Sequence, residues 1–467
     1  MSELQAAALP AAPPPRWLAR EIGANFALAW PLVAANVAVQ LMTVTDTMMM
    51  GWLSPKALAA GALGFNLYFP FFLVSISIMI AVAPIASQII GAQGPGAPGV
   101  RRLAHHAFAS ALLICLPVWA VLWQAEPILI ALGEDPELSA LAAAYMRALQ
   151  WTLAPGLLYF ALRSIFSALH RTGPTLIAAV LAVFVNALAN YALIFGHFGA
   201  PAWGVFGAGM GTLFSQVFML AVLAAYAHYS PDIKSYHLLR GPWRLEWREF
   251  ALLWRFGAPI AILNGFESGI FSASVAVMGL IGAAALQAHA IALNIASLAF
   301  MVPLGLAQAA AVRVGHAYGA RDRRGISRAG WVAFWTTIAY AVVSALGMMA
   351  FPRFLMHFYI DLDAPGNAPT VALATTFLWI AALFQLFDGG QVITSNMLRG
   401  VGDLRVPMVL AMIGYWLVGA PLGLWLAFKT TLAGAGIWIG LAAGLAAVTA
   451  LLLIRWRRRE RDGFFKG

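Results

Sequence analysis

The sequence is a succession of apolar segments, each about 20 residues long and separated by short polar connections. A helix of that length spans the hydrocarbon core of a bilayer and satisfies all of its backbone polar groups internally. Of the 467 residues, 62% are hydrophobic and only 10% are charged, against about 25% charged residues in a soluble protein. We therefore predict an all-α polytopic membrane protein with twelve transmembrane helices. The apolar segments lie near residues 26–50, 58–86, 105–124, 140–166, 172–195, 205–228, 251–280, 286–312, 329–350, 368–396, 405–428 and 432–455.

Basic residues concentrate in every second connection of this pattern. Arg101, Arg171 and the cluster at 234–255 fall on one side, whereas the opposite connections are acidic around Glu134 and Asp361. By the positive-inside rule, this asymmetry predicts a multi-pass membrane protein with both termini in the cytoplasm. The same rule accounts for the net charge of +10, so the charge does not indicate a nucleic-acid partner.

The second half of the sequence repeats the first. A shift of 228 positions without a gap superposes Pro31 on Pro259 and Asn66 on Asn294. Each repeat holds six helices, so we predict two lobes related by a pseudo-two-fold axis along the membrane normal, with a central cleft between them. The predicted parts are a disordered cytoplasmic tail (1–25), an N-lobe with helices 1–6 (26–228), a basic cytoplasmic linker (229–250), a C-lobe with helices 7–12 (251–455) and a basic cytoplasmic tail (456–467).

Three carboxylates lie inside the predicted membrane segments: Asp46 in helix 1, Glu267 in helix 7 and Asp388 in helix 10. An acidic group at the centre of a membrane helix costs roughly 2.5–3.5 kcal/mol, so it usually serves an ion, a proton or a substrate. We expect no Lys or Arg at comparable depth, which argues against buried ion pairs. The acids then hold protons or coordinate a hard cation such as sodium. Glu267 and Asp388 share the second half, which suggests one common cation site, with Asp46 as a separate protonatable group.

Other polar and sulfur-containing side chains lie near these acids along their helices. Asn186 and Asn190 are four residues apart, so their amides share one helical face, where they line a cavity or form an interhelical hydrogen bond. The remaining candidates share a helical face with one of the acids or lie one turn away from it. The side chains that we expect to line the cavity together with Asp46 are Asn186, Asn190, Met50, Asn264 and Gln385.

The sequence contains none of the common signatures of an enzyme. It has no HExxH, P-loop, GxSxG or CxxC motif. Cys115 is the only cysteine, so an intrachain disulfide and a thiolate metal cluster are excluded. Without a Walker motif, direct drive by ATP is not expected. We therefore predict a non-enzymatic protein without a resident cofactor, driven by a gradient of Na⁺ or H⁺.

Several strings, taken together, resemble the multidrug and toxic compound extrusion (MATE) transporters. They cover nearly the whole chain, from about residue 25 to 455. The pairing of a Glu in helix 7 with an Asp in helix 10 is similar to the bacterial NorM subfamily and unlike the DinF-like one. The strings are Pro31 with Asp46 and TMMMG in helix 1, NALANYALIFGHFGAPAWGVFGAG from helix 5 onward, ALQAHAIALNIASLAFMVPLGLAQAAAVRVGHAYGA across helix 8, and FDGGQVITSNMLRGVGD in helix 10 and its following loop.

The resemblance implies an antiporter that exports cationic amphipathic drugs or dyes against an inward flow of sodium or protons. It implies a place in the bacterial inner membrane and alternating access between the two lobes of this bilayer-embedded chain, which we expect to be a monomer. It also implies that Glu267 and Asp388 form the second-lobe cation (metal) site. The helix-1 acid of the family corresponds to Asp46, and its helix-5 pair to Asn186 and Asn190.

One departure from the family pattern bears on the coupling ion. Some relatives carry Tyr one turn before the helix-10 Asp, whereas this chain has Phe384. The change removes an oxygen near the cation and leaves the choice between sodium and protons open.

Three other functions remain as alternatives. A lipid or lipid-linked-sugar flippase of the same superfamily would need basic residues inside the cleft, and the intramembrane charges expected here are all acidic. A membrane-embedded enzyme would need a nucleophile–base pair or a metal-ligand set, and a channel is disfavoured by the two-lobe repeat.

Overall fold

The computed structural model describes residues 16–240 and 246–465. Within these ranges the chain is helical and contains no strand. The helices are α1 (Arg16–Leu53), α2 (Pro55–Ile80), α3 (Val82–Gln93), α4 (Pro98–Leu122), α5 (Ala125–Ala131), α6 (Pro136–Leu149), α7 (Leu153–Ala168), α8 (Gly173–Phe195), α9 (Gly204–Tyr229), α10 (Pro231–Lys234), α11 (Trp247–Ile281), α12 (Ala283–Gly319), α13 (Arg323–Ala350), α14 (Pro352–Met356), α15 (Ala368–Gly400), α16 (Arg405–Met412), α17 (Ala420–Lys429) and α18 (Gly434–Arg461).

Eleven helical spans in the described ranges are long and apolar enough to cross a membrane. We assign the remaining crossing to α6 and α7, which are joined by a single 3₁₀ turn at Gln150–Thr152. Two of the eleven spans are composite: α2 continues into α3, and α16 and α17 flank a π-helical stretch at Ile413–Gly419. The prediction of an all-α polytopic membrane protein is confirmed.

The repeat inferred from the sequence reappears in the helix boundaries. The first helix ends at Leu53 and α11 ends at Ile281, which is 228 positions later. The next helices begin at Pro55 and Ala283, again 228 positions apart. We refer to α1–α9 as the N-lobe and to α11–α18 as the C-lobe.

The last ten residues of the predicted N-terminal tail are more ordered than we expected. Residues 16–25 were predicted to belong to a disordered tail, but they form the first turns of α1. Their side chains find partners in the C-lobe: Glu21 forms an ion pair with Arg313, and the guanidinium of Arg328 lies 5.1 Å from the ring centroid of Trp17. These contacts offset the entropy lost by ordering this segment. Residues 1–15 of the predicted tail lie outside the described ranges.

The predicted C-terminal tail is also partly helical. The last helix continues to Arg461, with Trp456 fully buried against the C-lobe core. Asp403 accepts from Arg455 at 2.7 Å and lies 3.4 Å from Arg459, so this end of α18 is fixed to the α15–α16 connection. Residues 466–467, and 241–245 of the predicted linker, lie outside the described ranges.

The two lobes contact each other in the half of the molecule that ends in the Arg-rich connections around Arg101, Arg171 and Arg321, which we call the basic face. There α12 packs against α1 and α3, and α11 packs against α2. Gly305 permits one of these approaches, because a Cβ at that position would collide with Val33. Gln88 Nε2 donates across the interface to the Gly400 carbonyl at 2.8 Å.

Candidate functional site

A cavity of about 490 Å³ lies between the lobes. The N-lobe contributes α2, and the C-lobe contributes α11, α12 and α15. Apolar side chains such as Phe69 and Val275 line the part further from the basic face, and Arg399 lies at the basic-face end. The polar residues lining the cavity are Asn264, Glu267, Ser268, Ser272, Ser297, Gln308, Asp388, Gln391, Ser395, Asn396 and Arg399.

Glu267 and Asp388 face this cavity from different C-lobe helices and interact electrostatically with each other. Asp388 is only 6% exposed, and its Oδ1 has no hydrogen-bond partner among the described residues. Glu267 likewise makes no hydrogen bond or ion pair to any residue of the described ranges. Two neighbouring carboxylates without protein donors carry a large desolvation cost. Binding a proton or a cation at this pair lowers that cost.

Neutral oxygen atoms stand near the two acids. Gln391 Oε1 and Ser395 Oγ are buried on the same helix as Asp388 and have no hydrogen-bond partner among the described residues. Carboxylate, amide and hydroxyl oxygens are ligands for hard cations. In the described part of the chain, no group of three or more His, Cys, Asp and Glu side chains comes close enough to hold a metal ion. The donor set therefore fits an alkali cation or a proton better than a transition metal.

Asp46 lies apart from the large cavity, inside the N-lobe, where it is 7% exposed. Its Oδ1 accepts from Asn186 Nδ2 at 2.9 Å and from Asn190 Nδ2 at 2.5 Å. Its Oδ2 lies 2.9 Å from the hydroxyl of Thr212 in α9. Of the two alternatives for the asparagine pair, the interhelical hydrogen bond is the one observed, because both amides are fully buried and donate to the acid of α1. Thr212 was missed, since a lone threonine among apolar residues gives no sequence signal.

The Thr212 hydroxyl has two neighbours that can accept its single proton. It lies 2.9 Å from Asp46 Oδ2 and 3.1 Å from the Ala208 carbonyl. When Asp46 is ionised, Thr212 donates to the carboxylate. When Asp46 carries a proton on Oδ2, the acid donates to Thr212 and Thr212 donates to the carbonyl. Both protonation states therefore find hydrogen-bond partners without a change of rotamer.

Five of the six residues predicted to line the cavity do not line it. Asp46, Asn186 and Asn190 are buried together inside the N-lobe. Met50 is buried in helix packing, with its sulfur against Gly61. Gln385 is fully buried and its Nε2 donates to the Ala296 carbonyl of α12 at 2.7 Å, so it joins two C-lobe helices. Asn264 does line the cavity, and it donates across the lobe interface to Ser77 Oγ at 2.9 Å.

The expectation that no basic residue lies near the depth of the acids is wrong. Arg399 lines the same cavity as Glu267 and interacts with it electrostatically. The predicted segment ended at residue 396, but α15 continues to Gly400, and its last turn faces the protein interior. Arg163 is 5% exposed within α7 and lies inside the predicted segment 140–166, so the sequence did contain that signal. The intramembrane charges are therefore not all acidic.

Phe384 has no oxygen atom to offer a cation, but a tyrosine on another helix lies near it. Phe384 packs against Phe271, and both border a narrow gap inside the C-lobe together with Tyr415 of the π-helical stretch. Tyr415 is 3% exposed, and its hydroxyl has no hydrogen-bond partner among the described residues. It interacts electrostatically with Glu267 and Asp388. A π-helical turn is often found at functional sites.

A family model described as MatE matches residues 31–192 and 259–425. The two matched segments begin 228 positions apart, which is the interval of the internal repeat. The chain belongs to the MatE family. It is 47% identical over 442 residues to a Mesorhizobium japonicum protein named "Probable multidrug resistance protein NorM", with 95% of each chain covered. A Brucella suis protein of the same name is 43% identical over 443 residues, covering 95% of this chain and 94% of the relative.

A solved structure described as "Outward-facing conformation of a multidrug resistance MATE family transporter of the MOP superfamily" shares the fold of this MatE chain. The TM-score is 0.85 at 19% identity, with 96% of this chain and 97% of the other covered. The predicted resemblance to NorM-like MATE transporters is confirmed.

Proposed function

We propose that the chain is a cation-coupled multidrug efflux antiporter that exports cationic amphipathic compounds by alternating access of its two lobes. The names of the NorM relatives support drugs as the substrates, and the two carboxylates in the cavity favour those that carry a positive charge. The observation that carries the coupling step is the contrast between the two lobes. Glu267 and Asp388 line the large cavity without protein donors, whereas Asp46 is held by hydrogen bonds inside the N-lobe. The C-lobe pair is therefore the natural binding place for a mobile cation.

The basic face is then the cytoplasmic face of the inner membrane, and the described ends of the chain, at residues 16 and 465, lie on it. With the lobes in contact on that side, this structure corresponds to the state that is closed to the cytoplasm and open to the outside. An incoming Na⁺ or H⁺ binds at Glu267 and Asp388 and lowers the negative charge of the cavity. A cationic drug in the same cavity loses attraction and leaves to the outside. The two ligands are thus coupled through their unequal affinities for the two states.

Asp46 serves as a second, separate proton site in this scheme. Its hydrogen bonds bring together α1, α8 and α9, because Asn190 belongs to α8 and Thr212 to α9. Protonation reverses the direction of the bond between Asp46 and Thr212 and weakens the bonds from the amides, since a neutral acid is a poorer acceptor than a carboxylate. A proton at this site therefore loosens the contact of α1 with its neighbours.

The test is efflux of a cationic dye from vesicles that contain the purified protein, under an imposed sodium gradient and then under an imposed pH gradient. Wild-type protein should drive efflux under at least one gradient. Glu267→Gln and Asp388→Asn should abolish it, and Glu137→Gln is the matched control, because that carboxylate is exposed and pairs with Lys56 away from the cavity. Wild-type efflux by the Glu267 variant would disprove the assigned coupling role, and efflux under neither gradient would disprove the antiport.

Arg399 in the large cavity gives specific support to a lipid or lipid-linked-sugar flippase, since a phosphate headgroup needs a basic partner. The efflux function remains the better fit, because the same cavity also holds two carboxylates that would repel a phosphate. Adding a fluorescent phospholipid and a cationic dye to separate vesicle samples distinguishes the two. Gradient-independent scrambling of the lipid with no dye movement would favour the flippase.

A further inference from the structure

A second, smaller cavity lies between the lobes on the basic-face side of the large one. Its volume is about 70 Å³, and it shares Ile80, Gln308, Asn396 and Arg399 with the large cavity. Its lining comes from both lobes and includes no Asp or Glu. A cavity needs roughly 10–15 Å³ by this measure to hold one water molecule, so several water-sized groups fit and an amphipathic drug does not.

Two arginines line this small cavity, Arg163 from the N-lobe and Arg399 from the C-lobe. The guanidinium of Arg163 donates through Nη2 to Asn36 Oδ1 at 2.5 Å and to Gln308 Oε1 at 3.1 Å. It also lies 5.3 Å from the ring centroid of Phe160. All three partners are neutral, so they satisfy hydrogen-bond donors without balancing the charge.

Arg399 is 9% exposed and makes no salt bridge or side-chain hydrogen bond within the described ranges. It interacts electrostatically with the opposite charge of Glu267 in the large cavity. A proton or cation on Glu267 cancels that compensation. Arginine does not deprotonate in proteins, so two buried positive charges then face one cavity. A buried charge without a partner is strongly unfavourable, and two like charges add their repulsion.

We propose that the small cavity binds a small inorganic anion of the chloride class between Arg163 and Arg399. A monovalent anion offsets one of the two positive charges, can accept hydrogen bonds from both guanidinium groups, and fits the space. Because one arginine belongs to each lobe, binding also stabilises the arrangement in which the lobes meet at the basic face. The proposal does not depend on drug export, and its test measures binding and not transport.

The test is thermal unfolding of the full-length, detergent-purified protein at constant sodium concentration and ionic strength, with gluconate replaced stepwise by chloride. The melting temperature of the wild type should rise and saturate. Arg399→Gln should weaken the apparent chloride affinity by about ten- to a hundredfold, the factor that corresponds to one hydrogen bond to a charged group. Arg163→Lys, which keeps a charge but loses the two-acceptor geometry, should also weaken it.

Arg102→Gln is the matched control, because this basic-face arginine pairs with Glu249 at 2.8 Å outside the cavity. It should keep the chloride response of the wild type. Anomalous scattering from crystals grown in bromide should place a peak between the two guanidinium groups. No chloride-dependent shift in the wild type, an unchanged response in both cavity variants, or no bromide peak would each overturn the proposal. A response to inorganic phosphate or added phospholipid, but not to chloride or bromide, would replace it with a headgroup site.

Discussion

Removing the Thr212 hydroxyl tests whether the buried Asp46 depends on it. Thr212 Oγ1 is the only described partner of Asp46 Oδ2, at 2.9 Å, while Oδ1 keeps both asparagine donors. Thr212→Val preserves the volume of the side chain and leaves Oδ2 without a partner. Hydrogen bonds to charged groups contribute about 1.5–3 kcal/mol, and measured couplings inside membrane proteins average roughly 0.6 with a maximum near 1.7. We expect a coupling of about 1.5 kcal/mol between Thr212 and Asp46, near the upper end of the membrane values.

The assay is reversible unfolding in mixed detergent micelles, with the free energy of unfolding measured for Thr212→Val, Asp46→Asn and the double variant. Thr337→Val is the matched control, because the Thr337 hydroxyl is fully buried but donates only to the Ala333 carbonyl one turn earlier, at 2.8 Å. That variant should cost about 0.5 kcal/mol. A coupling below about 0.5 kcal/mol, or equal costs for the two threonine variants, would refute the assigned hydrogen bond.

Two further substitutions, each with its own control, test the packing beside Asp46 and a buried ion pair at the end of α18. Gly211→Ala would place a Cβ on the Asn190 amide, so this variant should lose transport and have a lower melting temperature. Gly265→Ala is the control and should be neutral or stabilising, because no heavy atom lies within 4 Å of its Cβ. Equal effects of the two variants in a dye-efflux and melting assay would contradict this prediction. Asp403→Asn should lower the free energy of unfolding by about 2 kcal/mol, because it disrupts the ion pairing of a side chain that is only 6% exposed. Asp232→Asn is the control and should change the free energy of unfolding by less than about 1 kcal/mol, because both members of its ion pair are half exposed. The prediction fails if chemical unfolding shows the reverse order.

Two kinds of feature were predictable from the sequence: helix boundaries that follow the internal repeat, and acidic residues whose burial in a membrane costs free energy. The helix boundaries near Leu53 and Ile281 follow from the ungapped 228-residue repeat, and Glu267 and Asp388 are identified by the cost of an acid in an apolar segment. Family membership also follows from the sequence, because the characteristic strings are distributed over nearly the whole chain.

The features that depend on exact helix ends and on cross-helix contacts were not predictable. Arg399 was assigned to a loop, because a helix end read from hydropathy is uncertain by several residues and α15 continues one turn further. Thr212 becomes important only through a contact with a residue 166 positions earlier. Met50 shares a helical face with Asp46, but its sulfur packs on Gly61, since a helical face does not reveal which neighbouring helix covers it.

The central claim is that a coupling cation and a cationic substrate compete through Glu267 and Asp388. The most direct measurement is equilibrium binding of a fluorescent lipophilic cation to the purified protein, followed by its displacement on addition of Na⁺ or on acidification. Wild-type protein should release the dye under at least one of these conditions, and Glu267→Gln with Asp388→Asn should remove that dependence. Equal displacement from the wild type and the double variant, or no displacement from the wild type by either cation, would contradict the account.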